Sequence, residues 1–168
     1  MEIPTDQELY AKLLDASIRF FSFRPRSEKE FRDFLLKKLH KHKAPDEGVI
    51  DRVIARLQDL GYADDGKFVA WWVEQRQAHK PKGARMVSQE LLSKGISRTL
   101  IDQQVNQGSF SSQYELARQS VAKKVLLWSK LPKLEQKKKL YGFLGRRGFD
   151  GDTIHRIIDE VVLGKVQS

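Results

Sequence analysis

Apolar residues recur at steps of three and four along almost the whole chain. Leu9, Leu13, Ser17 and Phe20 line one stripe, with Tyr10, Leu14 and Phe21 beside it. Phe31, Phe34, Leu35 and Leu39 form a second, and Val49, Val53, Ile54 and Leu57 a third. Phe68, Trp71, Trp72 and Gln75 begin another. Further on come Tyr114, Ala117, Val121, Val125 and Trp128, then Leu140, Phe143 and Leu144, then Ile154, Ile157, Ile158 and Val161. Such spacing puts each set on one face of a helix. No stretch alternates with strand-forming residues between hairpin turn signals, so no sheet is expected.

The punctuation between the stripes fits the same reading. Ser27, three residues before Glu30, forms a capping-box pattern. Asp64 can cap the helix through Phe68, Ser97 one through Val105, and Asp150 or Asp152 the last. Gly61, Gly95 and Gly148 each follow a helical run, where a left-handed closing residue is needed. Prolines 25, 45, 81 and 132 all fall between proposed helices.

The pattern repeats. When Gly95 is aligned with Gly148, Val87 matches Leu140, Leu91 matches Leu144 and Lys94 matches Arg147. Ile96 then matches Phe149, Ser97 matches Asp150, Ile101 matches Ile154 and Val105 matches Ile158. Residues 8–60 follow the same three-helix order, with RPR at 24–26 where the middle unit has KPK at 80–82, but with a longer linker, HKHKAPDE. The expected fold is therefore all-α: an elongated array of three tandem three-helix repeats, residues 1–62, 63–109 and 110–168.

Charge adds a direction to this picture. The chain of 168 residues carries a formal net charge of +9. The proposed repeats carry +1, +2 and +6, so the excess lies in the last third. Nine Lys and Arg fall between Lys123 and Arg147 with Glu135 as the sole acid. Lys80, Lys82, Arg85, Lys94 and Arg98 surround the turns of the middle unit. Such clusters favour a polyanion or an acidic protein surface without naming the ligand; toward single- or double-stranded DNA they would give weak, sequence-independent binding through phosphates. There is no cysteine, no run of about 18 apolar residues and no apolar leader, which fits a cytoplasmic protein with no membrane partner.

Reactive chemistry is not legible. No phosphate-binding GxxxxGK[ST] loop occurs, and Gly142, Gly145 and Gly148 follow no strand. His40 and His42 point to different helix faces, while His79 and His155 are isolated. Helix capping accounts for Asp64 and Asp65 more simply than a magnesium site. Trp71, Trp72 and Trp128 could stack on bases, but all lie on helical stripes and read first as packing residues. The residues point to a binding protein, neither an enzyme nor the holder of a cofactor or metal.

Particular segments carry a resemblance. LGYADDGKFVAWWVEQR followed by KPKGARMVSQELLSKGIS, and ELARQSVAKK through FLGRRGFDGDTIHRII, resemble the RecX family of regulatory proteins. The likeness runs over about residues 8 to 163 and is weakest in the first third. It implies three tandem three-helix repeats that bind the RecA recombinase filament and DNA. It also implies inhibition of RecA filament growth, ATP hydrolysis, strand exchange and co-protease activity in the DNA-damage response, by a monomer. Matched positions include Gly61, Asp64, Phe68, Glu90, Gly95 and Phe149, most of them structural. The contact candidates are Arg76, Lys82, Arg85, Lys94, Lys123, Lys124, Arg146 and Arg147, with Lys137, Lys138 and Lys139 as a further phosphate-facing patch. Lys94 and Arg147, at equivalent turns, are expected to be exposed. A sequence-reading helix-turn-helix transcription factor and a helical-repeat scaffold indifferent to nucleic acid are the alternatives.

Overall fold

A computed structural model describes residues 5–41, 48–106 and 112–163. The expected linker around Pro45 and the expected boundary near residue 110 lie outside them. Among the described residues all regular structure is helical. The α-helices are α1 (Asp6–Phe21), α2 (Glu28–Lys41), α3 (Gly48–Asp59), α4 (Asp65–Ala78), α5 (Ala84–Ser93), α6 (Arg98–Ile101), α7 (Gln113–Trp128), α8 (Lys133–Arg146) and α9 (Gly151–Leu163). They follow one another as three-helix units. The chain divides into two compact units, Met1–Trp71 with Lys94–Ile96, and Trp72–Ser93 with Ser97–Ser168.

In the first unit α1 packs on α3 and α2. The buried set is the one the stripes mark: Leu9 and Leu13 of α1, Phe31, Leu35 and Leu39 of α2, and Val49, Ile50, Val53, Ile54 and Leu57 of α3. Each fully buried aliphatic or aromatic side chain contributes about 1.5–3 kcal/mol. Phe20 stacks on Phe34 at 4.2 Å between centroids, closing the edge of this core. Ser17 is buried in the same stripe because its hydroxyl donates to the Leu13 carbonyl at 2.8 Å. Thr5 and Glu8 complete a reciprocal capping box at the start of α1.

In the second unit α9 packs on α8 and α7. Their core joins Leu116, Ala117 and Val121 to Leu140, Leu144, Phe149, Ile154, Ile157, Ile158 and Val162. α5 buries Val87 and Leu91. The helix expected through Val105 is α-helical only as far as Ile101 and continues as a π-helical turn, Asp102–Asn106. Ile101 and Val105 are both buried all the same.

The expected caps are met at Asp64, whose Oδ1 accepts from the Lys67 N–H at 3.0 Å, and at Ser97, whose Oγ accepts from Leu100 at 3.3 Å. Of the two candidates for α9 it is Asp150 that caps, accepting from the Thr153 N–H at 2.8 Å. Ser27 fulfils only half of its capping box. Its Oγ accepts from the Glu30 N–H at 3.2 Å, but Glu30 turns its carboxylate to two cations.

Candidate functional site

One arrangement of the chain appears in both units. The turn that follows a middle helix closes against the start of another middle helix. In the first unit the buried Ser27 hydroxyl, at the start of α2, donates to the Lys94 carbonyl at 2.8 Å. In the second unit the Gly83 N–H, at the start of α5, donates to the Arg147 carbonyl at 2.9 Å. The Arg147 guanidinium returns a bond of 3.0 Å to the Pro81 carbonyl. Left-handed glycines make the approach possible: Gly95 has φ +84° and Gly148 φ +81°. A Cβ on Gly148 would lie 2.5 Å from both the Cβ and the N of Met86, and one on Gly83 would lie 2.2 Å from the Gly148 carbonyl oxygen.

Each junction region also holds a carboxylate that gathers cations. In the first unit Glu30 Oε1 accepts from Arg24 Nη2 at 2.9 Å and from Lys94 Nζ at 2.8 Å. Arg24 lies 5.5 Å from the Trp71 ring centroid. In the second unit Glu90 accepts from Arg76 Nε at 2.6 Å, from Trp72 Nε1 at 3.0 Å and from Lys82. Arg76 also lies over the Trp72 ring at 4.3 Å. Burial alone would raise the two carboxyl pKa values. Hydrogen bonds from Arg24 and Lys94 outweigh it at Glu30, and those from Lys82, Arg76 and Trp72 at Glu90, so both are held below the ordinary value.

A pH dependence follows. A carboxyl whose folded pKa lies below its unfolded one stabilises the fold fully above the unfolded value, near 4.5, and loses that contribution as pH falls through the folded value. Resistance of the wild type to chemical unfolding is expected to fall progressively below that pH, and Glu90→Gln to be less stable at neutral pH but flatter in acid. A Glu90→Gln stability profile parallel to that of the wild type through the acid range would show that Glu90 has no part in it.

The placement of the contact candidates divides them. Arg76, Lys82 and Lys94 are half-buried and paired with Glu90 or Glu30. Arg147 is half-buried, lies over the Phe143 ring at 4.5 Å, and burial lowers its pKa. The expectation that Lys94 and Arg147 are exposed is therefore corrected: both close turns within the chain. Lys123, Lys138, Lys139, Arg85 and Arg146 are exposed, and Lys124 and Lys137 are half-buried. None of these seven makes an ion pair among the described residues. Six of them lie on α7 and α8.

The tryptophans behave as packing residues. Trp72 holds Glu90, and Trp128 meets Phe143 edge to face at 6.0 Å. The spacing marks Glu30 only as a capping-box partner of Ser27 and Glu90 only as a motif position; neither reading foresees the cations they gather. The available signal is two acids, Glu28 and Glu30, within five residues of RPR, and another acid eight residues after KPK. Among the described residues no cluster of His, Cys, Asp and Glu could hold a metal ion, and no helix is long and apolar enough to cross a membrane.

Comparison with known proteins agrees with this arrangement. Residues 64–103 match the family description "RecX, second three-helix domain", and residues 111–158 match "RecX, third three-helix domain". A regulatory protein RecX of Chlorobium phaeobacteroides is 34% identical over 152 residues, which are 89% of this chain and 93% of that one. One from Streptomyces lividans is 28% identical, over 86% of this chain and 74% of that one. A crystal structure of regulatory protein RecX superposes with a TM-score of 0.75 at 25% identity, covering 92% of this chain and 74% of that one. The crystal structure of RecX from Lactobacillus salivarius shares the fold, with a TM-score of 0.78 at 22% identity, covering 94% and 99%. Three-helix domains like those described above thus mark a family of regulatory proteins, and this chain belongs to it: the RecX family.

Proposed function

We propose that the chain binds the RecA recombinase filament and DNA and inhibits RecA: its filament growth, ATP hydrolysis, strand exchange and co-protease activity. In this reading it modulates recombination, DNA repair and the SOS response in the cytoplasm, acting as a monomer of three modules with breaks near residues 62 and 110. Membership of the RecX family supports the partner. The observation that carries the chemistry is the set of cations on α7 and α8 that no carboxylate of the described residues neutralises.

A RecA filament offers the same protein surface many times along its DNA. Three similar modules can touch successive copies, so each bound module raises the effective concentration of the next. Lysines provide sequence-independent attraction to phosphate and speed the encounter. A clamp of this kind hinders rearrangement of neighbouring subunits and blocks addition at the growing end, so inhibition is expected at amounts well below RecA.

Binding is tested by fluorescence anisotropy with labelled single-stranded DNA, bare or coated with RecA. The coated form is expected to bind more tightly. On bare DNA the affinity should fall with salt at a log–log slope of about −0.7 per phosphate contact. Replacing Lys137, Lys138 and Lys139 together by alanine is expected to flatten that slope by about 2. An unchanged slope would remove these three from the phosphate surface, and equal affinity for coated and bare DNA would remove the filament as the preferred target.

A further inference from the structure

We propose that the tip of the α7–α8 hairpin is a docking surface for a protein segment that is acidic and carries aliphatic side chains. Leu126 and Leu127 stand on the last turn of α7, 78% and 67% exposed, and Leu134 on the first turn of α8, 65% exposed. Monomeric surfaces expose single leucines routinely, but these three are grouped at one end of one hairpin. They are not needed by the core below, which Val121, Leu140 and Leu144 already fill.

Their surroundings have one sign. Lys123 lies three residues before Leu126 and four before Leu127, so these side chains share one helix face, and Lys130 stands in the turn that follows α7. Lys124 stands three before Leu127, and Lys133 precedes Leu134 directly. Lys137 and Lys138 follow Leu134 at the next turn. Glu135 is the sole acid among residues 123–147, and none of these lysines makes an ion pair among the described residues. The hairpin end is held in shape independently of them: Gln136 donates to the Ser129 and Leu131 carbonyls at 3.1 and 2.8 Å.

The combination selects the partner. Lysines alone would suit phosphate. Exposed leucines gain nothing from phosphate, and unstacked bases are held on aromatic faces, whereas Trp128 is occupied with Phe143. A segment with carboxylates flanking leucine, isoleucine or valine satisfies both features, since its apolar side chains cover the leucines while its charges meet the lysines. This goes beyond the filament reading, because it assigns the exposed leucines of the hairpin tip to protein whatever the partner is, while the lysines beside them stay able to meet phosphate.

The test is an NMR titration of the isotopically labelled full chain, which also detects weak binding. The probes are a short synthetic glutamate–leucine peptide, a glutamate–serine peptide of the same length and charge, and single-stranded oligo-thymidine. The first is expected to shift residues between Lys123 and Lys138, and the second to bind about tenfold more weakly, the ratio expected from covering about one leucine. The double variant Leu127→Ser/Leu134→Ser should lose the same factor for the glutamate–leucine peptide, keep its affinity for oligo-thymidine, and leave distant resonances in place. Absence of shifts at the tip, or equal binding of both peptides, overturns the proposal. An equal loss of oligo-thymidine by the variant also overturns it, and makes the tip a nucleic-acid surface. No arm contains RecA, so none of these results bears on whether RecA is inhibited.

Discussion

Replacing Gly148 with alanine is expected to lower unfolding stability by about 3–4 kcal/mol. Two costs add. A residue with a Cβ pays about 1–2 kcal/mol to hold the left-handed conformation that φ +81° represents. The Cβ itself would lie 2.5 Å from the Met86 N, a backbone atom at the first turn of α5 that cannot move without the helix. Relief requires the closing turn of the third repeat to withdraw, which breaks the 2.9 Å bond from Gly83 to the Arg147 carbonyl. Gly145 is the control: nothing lies within 4 Å of a Cβ built there, so Gly145→Ala in the body of α8 should be neutral or slightly stabilising. Urea unfolding of both variants checks this. Equal midpoints for Gly148→Ala and Gly145→Ala would show that the close approach carries no energy.

Lys94→Glu is expected to cost about 2–3 kcal/mol, well beyond the usual effect of a surface charge change. Lys94 and Glu30 are 64 residues apart in sequence and 2.8 Å apart in the fold. Reversal removes a charge-assisted bond and sets a second carboxylate beside one whose side chain is only 14% exposed. Arg24 still neutralises part of that charge, which keeps the cost below that of a wholly unpaired buried ion. Lys94→Met removes the bond without adding repulsion and should cost about half as much, roughly 1–1.5 kcal/mol. Thermal unfolding distinguishes them. If Lys94→Glu melts with the wild type, the Glu30 cluster is not a structural element.

The same pair shows where the sequence is legible and where it stops. Caps at Asp64, Ser97 and Asp150, left-handed glycines at 95 and 148, and the stripes of α1, α3 and α9 are local signals, decided within a turn of helix. Each can be read from spacing alone, and so can the repeat they form. The partners of Lys94 and Arg147 are not local: their contacts reach back 64 and 66 residues. A lysine or arginine beside a glycine reads as a solvated turn until the fold shows which carbonyl or carboxylate stands opposite. Charge counting therefore cannot separate the cations of α7 and α8 that make no ion pair among the described residues from Arg76, Lys82, Lys94 and Arg147, which the chain keeps for itself. Glu30 and Glu90 are legible only as a cap partner and a motif position for the same reason, since the cations they gather stand up to 64 residues away.

This division also decides how function must be probed. Lys94 and Arg147 cannot separate contact from folding, whereas Lys137, Lys138 and Lys139 can, because they make no ion pair among the described residues. The central claim is that the chain regulates RecA by binding its filament. The most direct measurement is the rate of RecA-catalysed ATP hydrolysis on single-stranded DNA, with the folded wild-type chain added well below the RecA concentration. The account predicts a marked fall in rate, weakened when those three lysines are replaced together by glutamate. Full RecA activity in the presence of excess folded wild-type chain would contradict it.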